Sequence, residues 1–179
     1  MPAVVETRLR RWRPDDAAAI APMVDDPHIR RWSSLDADVS GWIERQRAEV
    51  RGPSRAICLA GDDRALGKVA LRLPGHASPA TTCAAIRAAD HPAGELSYWL
   101  VPEARGRGLA AGAVALMMDL AAATTDLRSL VLDIEDTNAA SLRLAQRLGA
   151  ERRAPARVER DHTGAPRTLI VFVLTGARG

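Results

Sequence analysis

Leu9 and Trp12 are the apolar members of a polar run from Thr7 to Arg13, a pattern that predicts a first strand. Pro14, Asp15 and Asp16 have the form of a helix start, with acidic residues where the helix dipole favours them. Ala18, Ile20, Ala21 and Val24 carry that helix to Asp26-Pro27, and a short helical piece is expected from His28 to Trp32. Ser34 or Asp36 is the candidate cap of the next helix, whose Val39, Trp42, Ile43 and Gln46 keep one face apolar up to Gly52-Pro53. Ala56 to Ala60 and Leu66 to Leu73 read as two strands around Gly61-Asp62-Asp63-Arg64, a hairpin signal. Pro74 to Pro92 has no period and is expected to be a long, mobile loop.

Leu96, Tyr98 and Leu100 then alternate with Glu95, Ser97 and Trp99, and Pro102 ends the strand because it has no N–H for a ladder. After Arg105-Gly106-Arg107-Gly108, apolar residues at Leu109, Ala113, Leu116, Met117 and Leu120 recur at three and four, so a helix follows. Ser129 to Ile134 reads as a mostly buried strand. Asn138 is a good N-cap for a helix from Ala139 to Leu148, with Gly149 as its C′ residue. Val158 lies in a weaker strand and Leu169 to Leu174 in a strongly apolar one, with a turn at Asp161-His162-Thr163-Gly164 between them. There are no internal repeats and no linker, so residues 1–179 are expected to form a single domain of mixed α/β class.

The chemistry centres on the glycine-punctuated turn. Glycines at the mouth of a helix let backbone approach a ligand, and the helix start presents unpaired N–H groups and a positive partial charge. Arg105 and Arg107 add full charges, which suits a phosphate or pyrophosphate. One reading is dinucleotide binding, since Gly106-x-Gly108-x-x-Ala111 matches G-x-G-x-x-[GA] between a strand and a helix, with Asp133 roughly placed for a ribose. That fingerprint normally follows its strand directly. Here Pro102, Glu103, Ala104 and Arg105 intervene, and little chain remains for the second half of a dinucleotide fold.

The same run fits a second pattern better. Arg105 to Ala110 matches [QR]-x-x-G-x-[GA] and resembles the acetyl-CoA pyrophosphate loop of the GNAT superfamily of N-acetyltransferases. Asn138-Ala139-Ala140-Ser141 with Leu144, Leu148 and Gly149 is similar to a second run of that family. Arg13-Pro14-Asp15-Asp16, Asp26-Pro27-His28, Arg31-Trp32 and Glu95 to Leu100 resemble the branch that acetylates ribosomal-protein N-termini at alanine or serine. The resemblance implies a GNAT fold: a mostly antiparallel central sheet splayed at the acetyl-CoA site, with helices on both faces. It implies acetyl transfer from acetyl-CoA to a primary amine, by direct attack through a tetrahedral intermediate.

Within that resemblance, Arg105, Gly106, Arg107, Gly108, Leu109 and Ala110 surround the pyrophosphate. Leu100 and Val101 pair with the pantetheine, and an N–H exposed there faces the thioester oxygen. Asn138 reaches the pantetheine amides, though the same residue type also serves simply as a helix cap. Glu95 is the favoured general base and Asp133 the next candidate, with Glu135 on the same strand face; the plain alternative is a solvated strand-end carboxylate. A base is not strictly needed, because a peptide α-amine has a pKa of about 8. Ser141 stands where a hydroxyl would orient or protonate the departing sulfur, the alternative being a hydroxyl bonded to nearby backbone. Two departures stand out. The helix after Asn138 lacks the tyrosine many relatives use as acid, and Ala150 replaces an aromatic residue.

Composition narrows the classes. With 47% hydrophobic and 26% charged residues the chain is ordinary for a soluble globular protein, and Arg dominates its net charge of +3. At 3% aromatic residues it has few stacking platforms for single-stranded nucleic acid. Cys58 and Cys83 form neither a metal spacing nor a disulfide framework, and the four histidines are scattered, so no metal is expected. No stretch reaches the ~20 apolar residues of a membrane span and the N-terminus lacks a signal-peptide core, which points to the cytoplasm. No hydrolase motif is present. Trp32 is a candidate wall for the acceptor, and the apolar C-terminal strand is a candidate for homodimerisation. The alternatives are an acetyltransferase of a small amine, a non-catalytic CoA-binding regulatory module and a dinucleotide-binding oxidoreductase.

Overall fold

In the computed structural model, the described residues are 6–32, 35–74, 76, 92–153, 155–160 and 164–176. The expected loop over 74–92 and turn over 161–164 therefore lie mostly outside them, as do Ser34 and Cys83. The elements are β1 (Thr7–Arg10), α1 (Asp16–Ile20), α2 (Pro27–Trp32), α3 (Val39–Ala48), β2 (Ser54–Leu59), β3 (Asp62–Arg72) and β4 (Ala93–Leu100). They continue with α4 (Leu109–Thr124), β5 (Ser129–Glu135), α5 (Ala139–Arg147), β6 (Glu151–Arg152), β7 (Arg157–Arg160) and β8 (Pro166–Thr175). Short 3-10 turns at Ala21–Asp25 and Pro102–Ala104 complete them. The eight strands follow the hydrogen-bonded order β1-β2-β3-β4-β5-β8-β6, with β7 also on β8. This is a mixed α/β fold with a mostly antiparallel open sheet, as expected.

The chain packs as two compact units, the first comprising residues up to Leu71 with Ser97–Met117, the second Arg72–Leu96 with Met118 onward. In the first, β1 pairs antiparallel with β2 and β2 with β3. β1 stops at Arg10, short of the expected Arg13, because the Arg10 guanidinium turns to grip Asp16 through two bonds of 2.7 and 2.6 Å. Asp16, in the first turn of α1 as expected, also accepts the Arg13 N–H at 2.8 Å and so anchors the helix to the strand. The β2–β3 hairpin is tighter than expected: β3 begins at Asp62, Gly61 takes a left-handed φ of 82°, and the register shifts between Ile57 and Leu59. Apolar packing there centres on three indoles. Trp42 of α3 meets Trp12 edge-on at 5.2 Å and Trp99 at 6.2 Å between ring centres, and the ammonium of buried Lys68 lies 5.4 Å from the Trp42 ring centre. Trp99 is thus as buried as Leu96, so β4 does not show the simple alternation of an exposed face.

In the second unit β5 runs parallel to the start of β4, Ala93↔Ser129 to Glu95↔Val131, and antiparallel to β8 over Ser129↔Thr175 to Glu135↔Leu169. β6 and β7 flank β8 on its other side. The apolar run of the C-terminal strand is therefore accounted for inside the sheet, where Leu169, Val171, Phe172, Val173 and Leu174 are buried. Two-residue β6 has no pattern a sequence could show. α4 departs from its expected face as well: Leu109, Ala113, Val114, Met117 and Ala121 are buried, whereas Leu116 is exposed. The start at Leu109, the close of β4 before Pro102, the Asn138 cap and the left-handed Gly149 all match expectation.

Gly67 has a steric reason to lack a side chain. A Cβ there would lie 2.2 Å from the Trp99 carbonyl oxygen and 3.0 Å from Leu100 Cα, both backbone atoms of β4. Gly67→Ala should therefore destabilise the fold by about 1–3 kcal/mol or more, since overpacking against backbone has no flexible group to yield. Urea denaturation checks this; an unchanged midpoint would contradict it.

Candidate active site

The turn after β4 owes its shape to two glycines. Gly106 and Gly108 have φ of 72° and 86°, which L side chains rarely adopt, and a Cβ built on either meets nothing within 4 Å. The 3-10 turn closes with Ala104 N–H on Val101 O (3.0 Å) and Arg105 N–H on Pro102 O (3.1 Å), and α4 opens with Ala111 and Gly112 N–H on Gly108 O. Between them, the N–H groups of Gly106, Arg107, Gly108, Leu109 and Ala110 donate to no backbone acceptor among the described residues. Gly106, Arg107 and Gly108 are exposed. Unpaired donors at the start of a helix of 16 residues, with open space where side chains would be, have the form of an anion cradle.

The neighbouring candidates divide. Arg107 is exposed and has no ion-pair or hydrogen-bond partner among the described residues. Arg105 is engaged: its Nε donates to the Leu100 carbonyl and its Nη2 to Asp26 Oδ2, both at 3.0 Å. Val101 donates its N–H to the Leu66 carbonyl at 2.9 Å and receives Ala104 on its own, so its backbone groups are already paired inside the fold. The Val101 N–H is not the exposed donor that the pattern led one to expect. Asp26 gave no signal beyond a helix stop, because its partner lies 79 residues away. It also caps α2, its Oδ1 accepting the His28 and Ile29 N–H groups at 2.9 Å. Burial works to raise its carboxyl pKa, but the Ile29 N–H and Arg105 outweigh that and hold it below the ordinary value.

In the second unit, Glu95, Val131 and Asp133 share a sheet face, since Glu95 is opposite Val131 and Asp133 is two residues on. Val131 also belongs to the apolar cluster of Ala93, Val131, Val171 and Val173, in which Val171 is the strand partner of Asp133. Glu95 pairs with Arg72 at 3.4 Å. Asp133 Oδ2 pairs with Arg157, which also donates to Glu159 at 2.9 Å, and Glu159 meets Arg167 at 3.4 Å. The Asp133 side chain is 9% exposed and its Oδ1 is buried with no hydrogen-bond partner among the described residues. Burial pushes the Asp133 carboxyl up, Arg157 opposes this, and the nearby charge of Glu95 adds to the rise. Arg157, on a strand with only a weak pattern, carried no sequence signal for this role. Glu135 is buried and receives the Thr137 hydroxyl at 3.0 Å, as a structural acid would. At the start of α5, Asn138 Oδ1 accepts the Ser141 N–H at 3.1 Å. That cap engages the acceptor oxygen of the side chain and leaves its NH2 donors for another partner. Ser141 is partly exposed. His28 and Trp32 face each other at 5.6 Å between ring centres. Among the described residues no cluster of His, Cys, Asp or Glu is arranged to hold a metal ion, and no helix is long and apolar enough to cross a membrane.

Against this geometry, residues 6–151 match the family model described as an acetyltransferase (GNAT) domain. The chain therefore belongs to the GNAT acetyltransferase family. No curated protein sequence matches it. Among solved structures it is similar to Mycobacterium smegmatis RimJ in complex with CoA-disulfide, at 20% identity and TM-score 0.72 over 95% of this chain and 82% of that one. It is similar to a candidate ribosomal-protein-serine acetyltransferase of Vibrio cholerae, at 19% identity and TM-score 0.70 over 96% and 94% of the two chains. It is also similar to yncA of Salmonella typhimurium with its cofactor acetyl-CoA, at 20% identity and TM-score 0.69 over 97% and 95%. At these identities the likeness is one of fold.

Two outcomes follow. Asn138→Ala should lower stability by about 1 kcal/mol through loss of the cap, whereas Asn138→Asp keeps the cap and removes the NH2 donors. If Asn138 also serves a ligand, the Asp variant will fold as stably as the parent yet bind acetyl-CoA more weakly; equal affinity would leave Asn138 a cap alone. For Asp26, the folded pKa lies below the unfolded value of 3.8, so its stabilisation is fully present above that value and is lost as pH falls through the folded one. The stability difference between the parent and Asp26→Asn should be full at about pH 6 and shrink below the unfolded pKa. A difference independent of pH would contradict the assignment.

Proposed function

We propose that this acetyl-CoA-dependent N-acetyltransferase acts on the α-amine of a protein N-terminus. The observation that carries the cofactor half is the run of N–H groups from Gly106 to Ala110, which meet no backbone acceptor among the described residues, with left-handed Gly106 and Gly108 and exposed Arg107 within it. A pyrophosphate of acetyl-CoA satisfies those donors and the positive charge together. In this reading Leu109 and Ala110 supply first-turn donors of α4, Leu100 supplies strand backbone for the pantetheine, and Asn138 supplies its NH2 group. The acceptor half is supported by the residues of the opening segment and by the likeness in fold to RimJ and the Vibrio cholerae protein.

The chemistry needs a neutral amine, which a peptide α-amine with a pKa of about 8 provides in part. Glu95 takes the proton that the attacking nitrogen loses as its lone pair bonds to the thioester carbon. Asp133, whose pKa is raised by burial, lies on the same face as a second acceptor of that proton. When the C–S bond breaks, the departing sulfur takes a proton from solvent or through the Ser141 hydroxyl, which orients it. Cys58 is a buried free thiol whose pKa burial pushes up, as suits a chain we place in the reducing cytoplasm.

The test is transfer from acetyl-CoA to peptides with free alanine or serine N-termini, to a polyamine and to an amino sugar, followed by release of free thiol. Peptide N-termini should be acetylated at the α-amine, and Glu95→Gln should lower kcat by about 10²-fold or more. Transfer to the small amines but not to peptides would overturn the acceptor assignment. Full activity in Glu95→Gln, with an acid limb abolished only by Asp133→Asn, would move the base to Asp133.

A further inference from the structure

Arg105 occupies the first position of the cradle motif, where its charge would be taken for a phosphate ligand. The geometry points to another role, which rests on the cofactor reading above: we propose that Arg105 is a positioning residue, which shapes the cradle by holding the Leu100 carbonyl and the Asp26 carboxylate at once. Its Nε and Nη2 reach those two oxygens at 3.0 Å each, so one planar guanidinium ties the end of β4 to the start of α2. Asp26 is itself fixed, because its other oxygen accepts two N–H groups of α2 at 2.9 Å, and its side chain is 10% exposed. Drawing Arg105 away to an anion would leave that carboxylate largely buried beside only its N–H partners, a costly arrangement. Arg105 is the last residue before Gly106, in extended backbone with φ −70° and ψ 155°. Fixing its side chain therefore fixes the direction in which the five open N–H groups set out. Arg107, exposed and two residues on, is the loop cation available to meet the anion itself.

The two roles predict opposite behaviour of Asp26. If Arg105 were a direct ligand, Asp26 would compete with the anion for it, and removing that competitor would tighten binding. If Arg105 positions the loop, Asp26 is its support, and removing it loosens the cradle. The experiment is calorimetric titration of the full-length protein with acetyl-CoA for the parent, Arg105→Gln, Asp26→Asn, the double variant and Arg107→Gln. Each of the first two single variants should weaken binding by about tenfold at unchanged stoichiometry, and the double variant should be no weaker than either. Unchanged stoichiometry separates a reshaped loop from a fraction of unfolded chains. Arg107→Gln should weaken binding independently and reduce its dependence on salt, whereas Arg105→Gln should leave the salt dependence as it was.

Asp26→Asn binding as tightly as the parent or tighter, beside a weakened Arg105→Gln, would overturn the proposal. So would losses that multiply in the double variant. Should Arg105→Gln fail to fold, Arg105→Lys keeps the charge but cannot make both bonds, and its binding must then fall to overturn nothing; parent-like affinity would refute the bridging role. A parent that does not bind acetyl-CoA at all would instead refute the cofactor reading on which this rests.

Discussion

Five consecutive backbone N–H groups, Gly106 to Ala110, meet no backbone acceptor among the described residues and are left to water or a ligand. Two glycines take left-handed conformations within the loop, the 3-10 turn at Pro102–Ala104 sets the entry, and the buried face of α4 holds the exit. The strand before the loop is held closely, with Gly67 allowing the backbone of Trp99 and Leu100 to approach β3. Val101 keeps its own backbone bonds as well: a strand end that is firmly paired gives the loop a rigid start.

In the second unit the carboxylates of Glu95 and Asp133 lie on a largely buried sheet face. Val131, on that face, belongs to an apolar cluster with Ala93, Val171 and Val173, and each acid meets an arginine. Burial raises the Asp133 pKa, Arg157 opposes that rise, and Glu159 and Arg167 extend the alternation of charge. Among the described residues two buried atoms of that network, Asp133 Oδ1 and Arg167 Nε, have no hydrogen-bond partner.

The parts legible in the sequence were those governed by local rules. Pro102 ended a strand, Asn138 capped a helix, Gly149 closed it and Gly106 and Gly108 marked a tight turn, because each acts within a few residues of itself. The parts that were not legible depend on contacts distant in sequence. Asp26 read as a helix stop and proved to be the partner of Arg105, and Asp133, a candidate base whose plain alternative was a solvated strand-end carboxylate, proved to be buried against Arg157. The face of α4 was misjudged at Leu116 because leucine periodicity alone does not say which side a neighbour covers. Arg10 and Asp16 show the same limit, a buried pair that cut the first strand short of its pattern.

The most direct measurement is the thermal stability of the full-length protein in the presence of acetyl-CoA, free CoA, NADH and NADPH, side by side. A ligand at ~100 times its dissociation constant stabilises the fold it binds by about 2.7 kcal/mol. The account predicts a raised melting temperature with acetyl-CoA and with CoA, and none with the nicotinamides. Stabilisation by NADH or NADPH alone would contradict it, and would assign the Gly106–Gly108 turn to a dinucleotide.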